Sequence, residues 1–169
     1  MELFAQRGYD ATGTAQVAER AGVSEMTLFR HFSSKEALLL ADPFDPVIAD
    51  AVRARPIHEP PMQALAEGIR QAWTEVGAES IDGLRVRLRV VAAATSLRGA
   101  VERNSEATIT ALAGALEDRG VATVAARVAA TAVISGLSVA LLDWATSEQA
   151  APGDALRRAL DVLGGSGSA

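Results

Sequence analysis

Apolar residues recur at helical spacing along nearly the whole chain, and the breaks between runs fall at glycine, proline or short polar clusters. Leu3 and Phe4 share one face of a short first helix, and Gly8 suits a left-handed stop after it. Val17, Ala18 and Ala21 form the inward face of a second helix, with Thr12 as its predicted N-cap. Gly22 permits a sharp turn. Ser24 then caps a third helix. Val23 before that cap and Leu28 after it occupy the two positions of a hydrophobic staple, and Phe32 extends the buried stripe. Ser34 caps a fourth helix, with Lys35 and Glu36 in its first turn.

The run Asp42-Pro43-Phe44-Asp45-Pro46 interrupts that pattern. Pro46 can open a new helix continuing through Arg55, followed by a rigid Pro56–Pro61 spacer. Leu65, Ile69, Ala72, Trp73 and Val76 fall on one face of a helix over Met62–Val76. Ser80–Thr95 is predicted helical as well, although its RVRLRVV run alternates as a strand would. Helices are predicted over Leu97–Arg119, ending at Gly120, and over Val121–Thr146. Pro152-Gly153 breaks the chain, and Asp154 caps a last helix to about Leu163. The reading is all-α with about nine helices. A three-helix, helix-turn-helix domain spans residues 1–42, a helical bundle 43–164 and a flexible tail 165–169.

The 169 residues suffice to bury a core. Without cysteine there are no disulfides or thiolate metal sites, and His31 and His58 are too few for a typical metal cluster, so no cofactor is expected. The uncharged stretch Val128–Leu142, about 15 residues, is shorter than the ~20 that span a bilayer. With no signal-like start, a cytoplasmic protein without a membrane partner is expected. The net charge of -5 opposes binding to a polyanion, so any such binding must rest on where charges are placed. Residues 1–36 hold four basic and five acidic side chains, and Lys35 is the chain's only lysine.

A helix that reads DNA must present its first turns to the major groove and be held from behind by a second helix. Glu25, Met26 and Thr27 occupy that first turn, backed by Leu28 and Phe32. Thr27 can hydrogen-bond a base edge or phosphate, and Met26 can lie against a thymine methyl. Glu25 can accept from a cytosine amine or simply favour the helix N-terminus. Arg30, His31 and Lys35 would flank phosphates, and Thr14 and Gln16 open the second helix where its amides suit another. The plain alternative is a small helical subdomain with solvated charges.

The segment LFAQRGYDATGTAQVAERAGVSEMTLFRHFSSKEALL resembles the DNA-binding domain of the tetracycline-repressor family of bacterial regulators. Beyond residue 40 the resemblance is confined to helix number and length, while DPFDPVIADAVRARP is similar to mycofactocin-type regulators, some of which respond to acyl-CoA. The resemblance implies a homodimer on a near-palindromic double-stranded DNA operator, with Ser24 to Thr27 facing bases. It places Thr14, Phe29, His31 and Lys35 at phosphates. Phe29 stands where the family usually has tyrosine, which removes a hydroxyl-to-phosphate bond, and Gly13 loosens the start of helix two. The first helix is expected to be shorter than in the family, without a minor-groove arm.

In the bundle, Trp73, Arg85, Leu88, Arg89, Ala92, Asn104 and Thr108 are candidates to line an effector site. Arg85 and Arg89 share a helix face and could meet an anion, with Arg87 pointing elsewhere; Trp73 could equally be core, and the arginines solvated. The effector is a small molecule, with an acyl-CoA-like compound one option. The last two helices are the expected dimer interface, with Ala129, Ala132, Gly136 and Ala140 allowing close approach and Val128, Val139 and Leu142 supplying area. Trp144 could anchor that interface or cover the helix end. No catalytic constellation is present in the sequence pattern. A ligand-responsive repressor is therefore expected, and a dimeric helical ligand-binding protein without DNA binding is the alternative.

Overall fold

A computed structural model describes residues 1–40, 45–74, 78–147 and 152–164. Among the described residues ten α-helices and one 3-10 turn follow in order: α1 (Glu2–Arg7), α2 (Thr14–Arg20), α3 (Glu25–His31), α4 (Ala37–Leu40), α5 (Asp45–Arg53), α6 (Pro61–Thr74), α7 (Ala78–Ala93), the turn Thr95–Leu97, α8 (Arg98–Glu117), α9 (Thr123–Thr146) and α10 (Pro152–Gly164). No strand occurs among the described residues, so the all-α reading holds. The predicted break at residues 42–44, the placement of Val76 and the tail 165–169 lie outside the described residues.

The stretch around Val86–Val90 is helical despite its alternation because α7 is apolar on two sides. Val86 and Val90 face the α1 end of the molecule, and Leu84, Leu88 and Val91 face the bundle interior. Both pairs of spacings satisfy a helix, so a two-residue rhythm arises without a sheet. Asp154 lies in the first turn of α10 rather than at its cap, because Pro152 already opens the helix. Thr12 is likewise not a cap. It is buried, and its hydroxyl donates to the Gly8 carbonyl at 2.8 Å, while Gly13 takes the N-cap position of α2.

α9 is the central helix of the bundle, packed against α6, α7, α8 and α10. By length and composition alone it could cross a membrane, which the shorter uncharged stretch did not suggest. Here Ala126, Ala130, Val133 and Leu137 bury one side of it against Leu65, Leu112, Leu116 and Leu160. Gly136 admits Leu163 of α10: a Cβ on it would lie 3.0 Å from Leu163 Cδ1. Trp144, a possible interface anchor, is buried within its own chain, with the Arg85 guanidinium 4.5 Å over its ring.

A second apolar cluster joins the N-terminal helices to the bundle. Phe4, Tyr9 and Leu39 pack with Val90, Ala94, Leu97 and Ala100. Ser96 on the 3-10 turn donates to Asp10 at 2.5 Å, reinforcing the same joint. The expected division into two domains is thus bridged by shared core.

Helices α5 and α6 touch backbone to backbone at Gly68. A Cβ there would lie 2.6 Å from Val52 Cγ2 and 3.0 Å from the Val52 backbone. Gly68→Ala is therefore expected to destabilise the fold by about 1–3 kcal/mol, despite alanine's better helix propensity. Urea unfolding measures this; an unchanged or higher midpoint would mean that α5 can move aside at no cost.

Candidate nucleic-acid interface

The turn between α2 and α3 is built by backbone geometry. Val23 N–H donates to the Ala18 carbonyl and Gly22 N–H to that of Glu19, both at 3.0 Å, with Gly22 at φ +69°. These paired bonds close α2 in a Schellman arrangement that needs a residue tolerant of positive φ. Ser24 then starts α3: its Oγ accepts from Thr27 N–H at 3.1 Å and lies 2.9 Å from the Thr27 hydroxyl. Leu28 is buried beneath, while Val23 stays largely exposed, so the staple is sealed from one side only. Ala21, expected inside, is exposed.

Above this base the first turn of α3 faces outward. Met26 is 85% exposed, and Ser24, Glu25, Arg30 and His31 are exposed as well. Thr27 is half-buried through its Ser24 contact, and Phe29 is 44% exposed. Thr14, at the start of α2, donates its hydroxyl to the Glu25 carboxylate, so the two helix starts are held together on this face. Gln16 reaches back, its Oε1 accepting from Gly13 N–H at 3.0 Å. Of the expected DNA-facing residues, Gln16, Ser24, Glu25, Met26, Phe29, Arg30 and His31 are thus exposed, and Thr14 and Thr27 half-buried.

Lys35, expected beside a phosphate, is turned inward. Its ammonium donates to the Tyr9 carbonyl at 2.7 Å and sits 4.1 Å over the Tyr9 ring, which itself stacks on Phe4. Arg20 is ion-paired with Glu2 at 2.5 Å across α1 and α2, and this guanidinium holds the Glu2 carboxyl below its usual range. Burial, and then the nearby Glu36 and Asp10 carboxylates, push the Tyr9 phenol up. Two of the segment's four basic side chains are thus engaged within the protein.

A cavity of about 270 Å³ opens in the bundle. Trp73, Leu88, Asn104 and Thr108 line it, as the sequence suggested. Arg85, Arg89 and Ala92 do not. Arg85 lies over Trp144, Arg89 donates to the Ala145 carbonyl at 2.7 Å, and Ala92 is exposed. Instead Arg87, expected to point elsewhere, lines the cavity. Spacing puts Arg87 on one helical face with Leu84, Leu88 and Val91, but spacing alone does not say which face meets the cavity. The contribution of Leu39 and Leu40 from α4 had no such signal.

Residues 1–41 match the model of the bacterial regulatory proteins, tetR family. The chain is 35% identical over 86 residues to the HTH-type transcriptional regulator TcmR of Streptomyces glaucescens, a match covering 50% of this chain and 38% of TcmR. It is 55% identical over 40 residues to the HTH-type transcriptional activator FasR of Mycolicibacterium smegmatis, covering 24% of this chain and 18% of FasR. It is 49% identical over 41 residues to the HTH-type transcriptional regulator YvkB of Bacillus subtilis, covering 24% of this chain and 22% of YvkB. Each match thus spans well under half of the relative's length.

Lys35→Met keeps the aliphatic stem but removes the charge on Tyr9, and is expected to cost about 1–2 kcal/mol of stability. Chemical denaturation checks this. Unchanged stability, together with a weaker salt dependence of DNA binding, would return Lys35 to the phosphates. Glu25→Gln removes an anion from the exposed face and is expected to raise affinity for an arbitrary duplex several-fold, by an amount that shrinks with added salt. Fluorescence anisotropy at two salt concentrations reads this; a salt-independent change would show that the carboxylate lies away from the DNA.

Proposed function

We infer, from an N-terminal domain that belongs to the tetR family of bacterial regulatory proteins, that the chain is a ligand-responsive DNA-binding transcriptional regulator acting in the cytoplasm. The observation that carries this reading is the glycine-turned α2–α3 unit presenting an outward first turn, with Met26 exposed and Leu28 buried behind it. Ser24, Glu25, Met26 and Thr27 meet base edges in the major groove, and Thr14, Gln16, Phe29, Arg30 and His31 lie towards the backbone. Nothing in this role calls for chemistry at a substrate.

The operator is a near-palindrome read by a homodimer. Supporting this, α9 carries an outward stripe at helical spacing: Val124, Val128 (64% exposed), Ala132, Ser135 and Val139 (71% exposed). Val162 on α10 is exposed as well. Two such faces would pair as a four-helix interface and set the two α3 helices about 34–36 Å apart. Leu142 and Ala129, expected at the interface, serve the cavity and the core instead.

Release follows from the cavity. Leu39 and Leu40 line it, and they belong to α4, the helix that follows α3. A small molecule that fits one placement of α4 better than another biases the spacing of the α3 pair, and so lowers operator affinity. The protein then behaves as a repressor.

DNA upstream of the chain's own gene, titrated with protein in a gel shift, tests this reading. Binding is expected to weaken with salt, with a log–log slope of about −2 if Arg30 of both subunits meets a phosphate. Val139→Arg is expected to convert a dimer into monomers in analytical ultracentrifugation and to abolish operator binding. A wild-type dimer that binds no duplex at low salt would favour the alternative of a ligand-binding protein without DNA binding. A variant that stays dimeric would remove α9 from the interface.

A further inference from the structure

We propose that the bundle cavity takes a small uncharged molecule: an apolar body carrying one hydroxyl or carbonyl group. This rests on the effector role assigned to the cavity above and specifies what fills it.

Every helix from α4 to α10 contributes to the wall, and most of what they contribute is apolar. Ile48 comes from α5, Ile69 and Trp73 from α6, Leu88 from α7, Leu141 from α9 and Leu156 from α10. Covering such a wall with an apolar body removes both surfaces from water, which drives binding without any directional contact.

Charge is poorly served there. No carboxylate occurs in the described lining, so an ammonium group would be buried without a counter-ion. The described lining holds one cation, Arg87, and that residue already has an interaction partner within the protein. An anion entering the cavity would have to draw Arg87 from that partner and shed its own hydration, and both steps weaken binding. A neutral ligand meets neither obstacle.

Three side chains of the wall nevertheless call for more than hydrocarbon. Asn104 and Ser105 on α8 and Ser138 on α9 line the cavity, each half-buried, and their side chains make no hydrogen bond among the described residues. An amide and two hydroxyls can each donate and accept. They suit a hydroxyl or a carbonyl of the ligand equally, with no demand for charge. A pure hydrocarbon would cover them without replacing the hydrogen bonds that water gives them, at a cost comparable to a lost bond. Thr108, on the same side of α8, is not part of this set, since its hydroxyl donates to the Asn104 carbonyl at 3.3 Å.

Volume sets the other limit. The cavity's 270 Å³ lies just below the ~300–1,000 Å³ that enclose drug-sized ligands. A medium-length alkyl chain or a fused bicyclic ring with one polar substituent suits that space. A coenzyme A thioester exceeds it, and its phosphates bring the charge that the wall serves poorly, so the acyl-CoA option is set aside.

The test is calorimetric titration of the full chain with decan-1-ol and with 2-naphthylmethanol, each against its carboxylate and its ammonium counterpart, with naphthalene as the hydrocarbon control. The alcohols are expected to bind about tenfold or more tightly than either ion, and 2-naphthylmethanol several-fold more tightly than naphthalene. Trp73 lines the cavity, so its fluorescence reports occupancy. Decan-1-ol is expected to shift the emission of the wild type but not that of Trp73→Phe. Asn104→Ala is expected to reduce the advantage of 2-naphthylmethanol over naphthalene, and its combination with Ser105→Ala and Ser138→Ala to erase it. Thermal melts of both variants check folding, and the single variant carries the comparison if the triple one does not fold. Any of five results would overturn the proposal: an ion that binds as tightly as its alcohol, no binding of either alcohol, no advantage of alcohol over hydrocarbon, an advantage untouched in the folded variants, or binding that leaves Trp73 emission unchanged. A gel shift with the tighter alcohol separates the two inferences. Alcohol binding in the cavity that leaves DNA affinity unchanged would sink the effector role and keep the ligand class. DNA affinity that responds to a carboxylate or a thioester, in a protein that ignores the alcohols, would do the reverse.

Discussion

The placement of the N-terminal helices depends on one apolar joint. The first four helices are too short to bury a core among themselves; α4 has four residues and α1 has six. Phe4, Tyr9 and Leu39 complete their burial only against Val90, Leu97 and Ala100 of the bundle. Each large apolar side chain buried there contributes roughly 1.5–3 kcal/mol, comparable to the whole stability a segment of this size can gather alone. Lys35 closes the joint from the N-terminal side, and Ser96 with Asp10 does so from the other. A displacement of α7 or of the 3-10 turn is therefore passed to α1 and α4 through packed side chains that have few ways to rearrange.

The same joint bears on where charge is exposed in a chain of net charge -5. Lys35 and Arg20 hold the N-terminal helices together, and the exposed basic side chains of α3 are Arg30 and His31. On the proposed function, such a face would attract a duplex weakly at long range, and discrimination would come from short-range fit at Ser24–Thr27. Glu25 sharpens this. Its carboxylate repels any phosphate, and it is tolerated where Thr14 or a base amine can donate to it. Weak general attraction with a selective contact favours specificity over raw affinity.

α9 shows how one helix serves three roles by face. Ala126, Ala129, Ala130 and Val133 form the core, Ile134, Leu137 and Ser138 line the cavity, and its exposed valines form an outward stripe. Small residues make this possible, since Ala126 and Ala130 are fully buried and Gly136 admits Leu163. A helix apolar on nearly every side has no single amphipathic signature, and its composition matches a membrane span as readily as a central helix.

Local chemistry was enough to read the helix-turn-helix. The Gly22 turn, the Ser24 cap and the buried Leu28 each act within a few residues, so their outcome follows from residue type and spacing. Helix existence was legible for the same reason, including α7, where a two-residue rhythm could have misled. Other features depended on distant partners. Thr12 is a good cap by type, yet folding back to Gly8 satisfies its hydroxyl before α2 begins. Lys35 could have reached solvent phosphate, but Tyr9, far back in the chain, offers both a carbonyl and a ring. Which of the three arginines on α7 faces the cavity is set by where α9 ends, because the Ala145 carbonyl takes Arg89 and the Trp144 ring takes Arg85. Spacing along a helix tells which residues share a face. What stands opposite that face is a matter of packing between segments remote in the chain, and no local pattern encodes it.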